Sequence, residues 1–274
     1  MKNIFFPNKT EAARHSFPRG LLQPEGSYRF STDALLLASF ARPGKKLRIL
    51  DLGTGCGVVA LAMLCREPES RALGVDIQPE LVVAARTNAE RLGFAGSFTV
   101  VCADLETGLF PSVSAMHDQP AETPRPQSLH AAPRTFDLVL ANPPFRQRDS
   151  GRLPQSPLRL RALFEKPGTL SAFCSTASRA IGPDGRFCAI YPYERRDSFL
   201  AALKPAALAP TRLLPVVTRA GNPPLRLLVE AARFMENSIL YPNRPEFEPP
   251  LVLHDASTPG AYTKQAVDFC PFLA

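Results

Sequence analysis

KLRILDLGTGCGVVALAMLCRE, residues 46–67, decides how this chain is read. Its first part is an apolar run carrying Asp51 near its end, followed by glycines at every second position, Gly53, Gly55 and Gly57. An apolar stretch of helical character follows at once. Glycines let a backbone turn sharply and approach a ligand, and a helix N-terminus leaves free N–H donors. The unit reads as strand, ligand-binding turn, helix, with a turn that only packs as the alternative. Its G-x-G-x-G spacing behind an acid differs from the G-x-G-x-x-G of nicotinamide and flavin enzymes.

Working outward, the alternation of strand and helix continues toward the C-terminus, which argues for a parallel sheet covered on both faces. RALGVDI (71–77) is the next strand, and PELVVAARTNAERLG (79–93) a helix opened by Pro79 and closed by Gly93. SFTVVCADL (97–105) and FDLVLANPPF (136–145) contain the third and fourth strands. A helix around 170–181, a strand at 186–192, a helix at 195–206 and a late strand at 225–233 complete the series. Between strands three and four, residues 111–134 are rich in Pro, Ser and Ala without periodicity and read as an inserted surface loop. His117 and His130 fall inside it and read as solvated. Upstream, residues 1–44 hold a short helix over 33–41, with Ser31 or Thr32 as its N-cap, and form a segment suited to close over a site. Residues 45–274 form the main domain.

The 274 residues suffice for one large α/β domain. No apolar run approaches the roughly 20 residues of a membrane-spanning helix, and the N-terminus lacks a signal-peptide pattern, so the expected location is the cytoplasm. The six cysteines form no CxxC pair and no metal-ligand spacing with histidine, and read as buried reduced thiols, with no metal expected. The net charge of +7 is unevenly spread. Residues 1–50 carry nine Lys/Arg against three acids and residues 142–166 six against two, whereas 51–110 carry four against eight. The basic segments suit a polyanion, although a merely solvated basic surface fits the charge equally well.

Three further motifs sit at strand ends, where ligands bind in open α/β sheets. Asp76, ending the second strand, can accept both hydroxyls of a ribose, or cap the strand. Asp104, after the third, can accept from an adenine amine, or cap a helix. Asn142-Pro143-Pro144-Phe145, after the fourth, decides the chemistry. Two prolines stiffen the turn and remove their own N–H groups. The Asn142 amide oxygen and Pro143 carbonyl remain as acceptors, beside the aromatic face of Phe145. Such a turn fits a planar ring bearing an –NH2 group. Two acceptors on that amine favour a tetrahedral nitrogen and stabilise the positive charge developing on it during methyl transfer. No strong general base is required. A target inside a duplex or stacked loop would first be flipped out.

Together these motifs resemble the Rossmann-like amino-methyltransferases, and most closely the bacterial tRNA adenine-N6-methyltransferases acting on a valine tRNA beside the anticodon. The resemblance extends to the upstream residues Gln23, Tyr28, Phe30, Thr32 and Asp33 and to the late segment EPPLVLHD (248–255), covering roughly residues 18–265. It implies a seven-stranded, mostly parallel sheet with helices on both faces and an antiparallel last strand. It implies S-adenosyl-L-methionine as cofactor, held by Asp51, Gly53, Thr54, Gly55, Gly57, Asp76, Ile77, Asp104 and Asn142. Asn142, Pro143 and Phe145 would hold the target base, with Tyr28, Phe30, Thr32 and Asp33 near it. Arg146 and Arg148, heading a basic run that includes Arg152, Arg159 and Arg161, suit phosphate contacts to RNA, tRNA above all. Other readings stay open: methylation of guanine N2 in ribosomal RNA or of a protein glutamine amide, and, in different classes, a nucleotide-binding oxidoreductase or an inactive RNA-binding module.

Overall fold

The computed structural model describes residues 8–27, 29–107, 109–111, 126–128, 136–145, 156, 168–234 and 245–274. The elements that matter run in chain order. Helix α1 (Lys9–His15) and α2 (Thr32–Phe40) precede β1 (Arg48–Leu52), α3 (Val58–Arg66), β2 (Arg71–Asp76), α4 (Pro79–Arg91) and β3 (Phe98–Cys102). A small hairpin of β4 (Leu109–Pro111) and β5 (Pro126–Ser128) comes before β6 (Phe136–Ala141). Then follow α5 (Thr169–Ala180), β7 (Ile181–Pro192), α6 (Arg196–Leu203), β8 (Leu208–Val217), β9 (Pro224–Arg233), β10 (Glu246–Phe247), β11 (Leu251–Val252) and α7 (Lys264–Phe269).

In the main sheet β3, β2, β1, β6 and β7 lie side by side and parallel, and β9 enters antiparallel between β7 and β8. The order turns back between β1 and β6, which opens a crevice at their C-terminal ends. Both faces are apolar. Ile49, Ala72, Leu138 and Leu140 point to one layer, Leu50, Leu52, Leu73, Val75, Val139 and Ala141 to the other. That is the period of two for strands buried on both sides. Residues of α2, α3, α4 and α7 fill the first layer, and of α5 and α6 the second.

The sheet has nine strands where seven were expected, because the two-residue β10 and β11 both join the outer edge of β8, parallel to it. The antiparallel last long strand is present as β9. β8 itself was not read from the pattern, since Pro210 and Pro215 lack the N–H a ladder uses. The fold accommodates both: the ladder to β9 shifts register after Pro210, and Pro215 falls between the stretches paired with β10 (Arg212, Leu213) and β11 (Val216, Val217). Inside the segment read as an aperiodic loop, Pro126–Ser128 pairs antiparallel with Leu109–Pro111. So short a pairing leaves no periodicity to read. His117, His130 and the rest of that segment lie outside the described residues.

Helix α2 starts at Thr32 with Ser31 in the N-cap position, but the Ser31 side chain makes no capping hydrogen bond. The helix is buried nearly all round, with Ala34 through Ala38 and Phe40 in the core. Arginines from the sheet hold both of its ends. Arg212 on β8 lies over the Phe40 ring and donates to the Phe40 carbonyl (2.8 Å), and Arg226 on β9 pairs with Asp33 (2.9 Å).

Candidate active site

A cleft of about 450 Å3 opens at the β1–β6 crevice. The turns after β1, β2, β3 and β6 and the start of α2 wall it.

The first turn is locked from within. The Thr54 N–H crosses to the Val75 carbonyl (2.9 Å) and the Gly57 N–H closes onto the Thr54 carbonyl (2.9 Å). Gly55 has φ +57°, and a Cβ there would meet nothing within 4 Å, so the backbone itself faces the cleft. Gly57 differs: at φ +88° it begins α3, and a Cβ would stand 2.9 Å from the Phe98 ring. Its glycine is a packing requirement, and Gly57 does not line the cleft. Nor does Asp51. One Asp51 oxygen accepts from the Thr54 hydroxyl (2.7 Å) and the Ala60 N–H at the start of α3 (3.2 Å). Burial pushes this carboxyl up to about 7. Asp51 thus sits behind the turn and supports it instead of facing the cleft as expected.

Asp76 does face it. Its two oxygens accept from the Gly55 N–H (2.8 Å) and the Gln78 N–H (2.9 Å), and burial raises its pKa. Each oxygen keeps capacity for a second donor, as a vicinal diol requires. Beside it, Ile77 exposes an apolar face. Gln78 is buried, lines the cleft, and its Oε1 has no partner among the described residues. A buried acceptor without a donor fits a ligand better than an empty core. Asp104 lines the same wall and accepts from the Glu106 N–H (2.9 Å), so it caps a short turn and borders the cleft at once. Diol acceptor, apolar plate and amine acceptors in one cleft fit a nucleoside such as the adenosyl group.

At the opposite wall, Asn142, Pro143, Pro144 and Phe145 line the cleft. The Asn142 side chain is partly exposed and makes no hydrogen bond to a described residue. The turn is held through Phe145. Arg195 donates to its carbonyl (2.8 Å), Tyr191 meets its ring edge-on (6.3 Å between centroids), and the Arg226 guanidinium stands over the ring (4.8 Å).

The cleft therefore gathers Gly53, Thr54, Gly55, Asp76, Ile77, Asp104, Asn142, Pro143 and Phe145, together with Phe30 and Asp33 from the N-terminal segment. Thr32 does not line it. Tyr28, Arg146, Arg148 and the basic run behind them lie outside the described residues. Gln78, Phe173, Arg195 and Arg226 were not read from the sequence. Gln78 alone left a signal, two residues after a strand-end acid. The six cysteines are free thiols, and Cys102 is exposed and Cys65 half-buried, contrary to the expectation of buried ones. Cys56 lines the cleft, and burial pushes its thiol up to about 12. It is neutral near pH 7 and not a thiolate nucleophile.

Known proteins agree with this geometry. A family model for a methyltransferase domain matches residues 43–209. A tRNA1(Val) (adenine(37)-N6)-methyltransferase of Porphyromonas gingivalis is 28% identical over 243 residues, covering 87% of this chain and 86% of that protein. A protein of the same name from Bacteroides fragilis is 28% identical over 201 residues, 73% of this chain and 76% of that one. The crystal structure of a predicted O-methyltransferase from Agrobacterium tumefaciens has the same fold, with a TM-score of 0.61 at 21% identity over 88% of this chain and 97% of that one. No helix among the described residues is long and apolar enough to cross a membrane. With more than half of its length inside that matched domain, the chain belongs to the methyltransferase family and takes its methyl group from S-adenosylmethionine.

Proposed function

We propose that this enzyme methylates the exocyclic N6 amine of an adenine in tRNA, in the cytoplasm. The observation that carries the reading is the Asn142–Phe145 turn, which lines one cleft with the nucleoside-sized wall around Asp76 and presents an Asn142 amide free of described partners. The names of the relatives from Porphyromonas gingivalis and Bacteroides fragilis support adenine in tRNA as the target.

When bound, S-adenosylmethionine supplies an activated methyl group on a sulfonium. Asp76 would accept from the ribose hydroxyls, Ile77 would cover an adenine face, and Asp104 would accept from the adenine amine. The Gly53–Gly55 backbone leaves room for the amino-acid end. Asn142 Oδ1 and the Pro143 carbonyl each accept one hydrogen from the target amine. Its lone pair is thereby turned toward the methyl group, and the positive charge forming on nitrogen is stabilised. The Phe145 ring stacks on the target base and fixes the line of transfer. The amine lone pair would form the new C–N bond as the C–S electrons leave on the neutral thioether, and the amine would give up one proton to solvent. Phe30 and Asp33 of the N-terminal segment close one side of the site, while Tyr28, Arg146 and Arg148 would contact the RNA.

Parallel incubations of radiolabelled S-adenosylmethionine with bulk tRNA, ribosomal RNA and protein extract, followed by nucleoside and amino-acid analysis, test the reading. Label in N6-methyladenosine is the expected result. Label in N2-methylguanosine of ribosomal RNA, or in protein, with none in tRNA, refutes the adenine target.

A further inference from the structure

We propose that Asp33 and Arg226 form a charge-balanced support behind Phe145: Arg226 backs the aromatic ring, and Asp33 cancels its charge so that the cleft in front tolerates a cation. The inference rests on reading the cleft as a methyl-transfer site.

The two residues are 193 positions apart, yet Arg226 Nε stands 2.9 Å from Asp33 Oδ2. Their side chains are only 18% and 13% exposed. Asp33 and Phe145 line the cleft, whereas Arg226 does not and reaches it only through these two. Its guanidinium lies 4.8 Å from the Phe145 ring centroid, which makes it a flat, cationic backing plate. Arg226 also donates to the Leu225 carbonyl (3.1 Å), which fixes it to the start of β9. A plate of this kind stiffens the ring, but it sets a full positive charge beside a site whose chemistry is cationic throughout. The donor bears a sulfonium, and the target amine turns positive as its lone pair takes the methyl group. In a partly buried site a unit charge several ångströms away is not screened as it is in water. Asp33 removes that opposition. Arg226 is thus a positioning residue, and Asp33 its counter-ion, although the sequence alone had grouped Asp33 with the residues that touch substrate.

S-adenosylmethionine is cationic at sulfur and S-adenosylhomocysteine is neutral there, so the ratio of their dissociation constants reads the local potential independently of activity and of the RNA. Calorimetric titration of both into the intact wild type, D33N, R226M and the D33N/R226M double variant is the test. D33N is expected to weaken S-adenosylmethionine relative to S-adenosylhomocysteine by about tenfold. R226M moves the ratio the other way, and the double variant returns to within about twofold of wild type. R226K keeps the charge and loses the planar plate, so its ratio stays near wild type while its single-turnover methyl-transfer rate falls. One ratio shared by all four proteins of the cycle overturns the proposal, because a merely structural ion pair affects both ligands alike. Wild type that binds neither ligand refutes the methyl-transfer reading itself, which the ratio alone does not touch.

Discussion

The turn after β1 and the turn after β6 are built on opposite plans. The first is held by its own neighbourhood: Thr54 to Asp51 and to Val75, Gly57 to Thr54, Gly55 to Asp76. Its charged partners sit on adjacent strands, β1 and β2. The second turn keeps Asn142 free of described partners and is steadied at Phe145 from remote parts of the chain, by Arg195, Tyr191 and Arg226. The difference teaches that the proposed cofactor wall is held by contacts within one β-α-β unit, while the proposed target wall is held by side chains of and beside β7 and β9. Local hydrogen bonds preorganise one side, long-range cation and aromatic contacts the other.

The comparison breaks most easily at Asn142. Asn142→Ala should lower the single-turnover transfer rate by about 10^3-fold, the scale of losing a donor or acceptor that acts in the transition state. Cofactor affinity should stay within about threefold; a parallel loss in calorimetry would mean that the two walls are not separate. Asp76→Ala is the converse, with cofactor affinity down by about 100-fold, the scale of losing charge-assisted hydrogen bonds. A variant that binds S-adenosylmethionine normally would remove Asp76 from the cofactor wall. Gly57→Ala probes packing without touching the cleft. Strain at φ +88° and the 2.9 Å approach to Phe98 should cost about 2 kcal/mol in urea unfolding, with ligand preference unchanged.

The smallest effect is a pH dependence at Asp51. Burial lifts its folded pKa to about 7, above the 3.8 of a free aspartate. Between those limits the native state holds a proton that the unfolded chain has released, so wild-type stability falls as pH rises from about 4 and levels off above about 7. The slope is at most about 1.4 kcal/mol per pH unit. Asp51→Asn copies the protonated form, so its stability relative to wild type should climb across that window in urea melts at pH 5 and pH 7. A flat difference would show that Asp51 is ionised throughout and that Thr54 and Ala60 suffice to hold its charge.

Much of the site was legible because its signals are short-range. Gly53, Gly55, Asp76, Asp104 and Asn142 each mark a strand end, and parallel strands bring their ends to one edge. β8 was not legible, because the prolines that contradict a strand are tolerated only through a register shift and a gap between two short partners. Arg226 was not legible either. In an apolar strand it reads as the solvated residue of an alternating pattern, and nothing local announces Phe145 or Asp33.

The sequence by itself determined the alternation of strand and helix from β1 to β3, the strand that leads into Asn142-Pro143-Pro144-Phe145, and the edge of the sheet at which these strand ends meet. Only the tertiary structure decided which acid faces the cleft. Asp51 and Asp76 look alike on paper, each at the end of a strand in the same unit. In the sheet, Asp51 pairs with Gly74, two residues short of Asp76. That offset leaves Asp51 under the turn, hydrogen-bonded to Thr54 and Ala60, and carries Asp76 into the cleft. Register is set by side-chain packing across the whole sheet, and one strand read alone does not contain it.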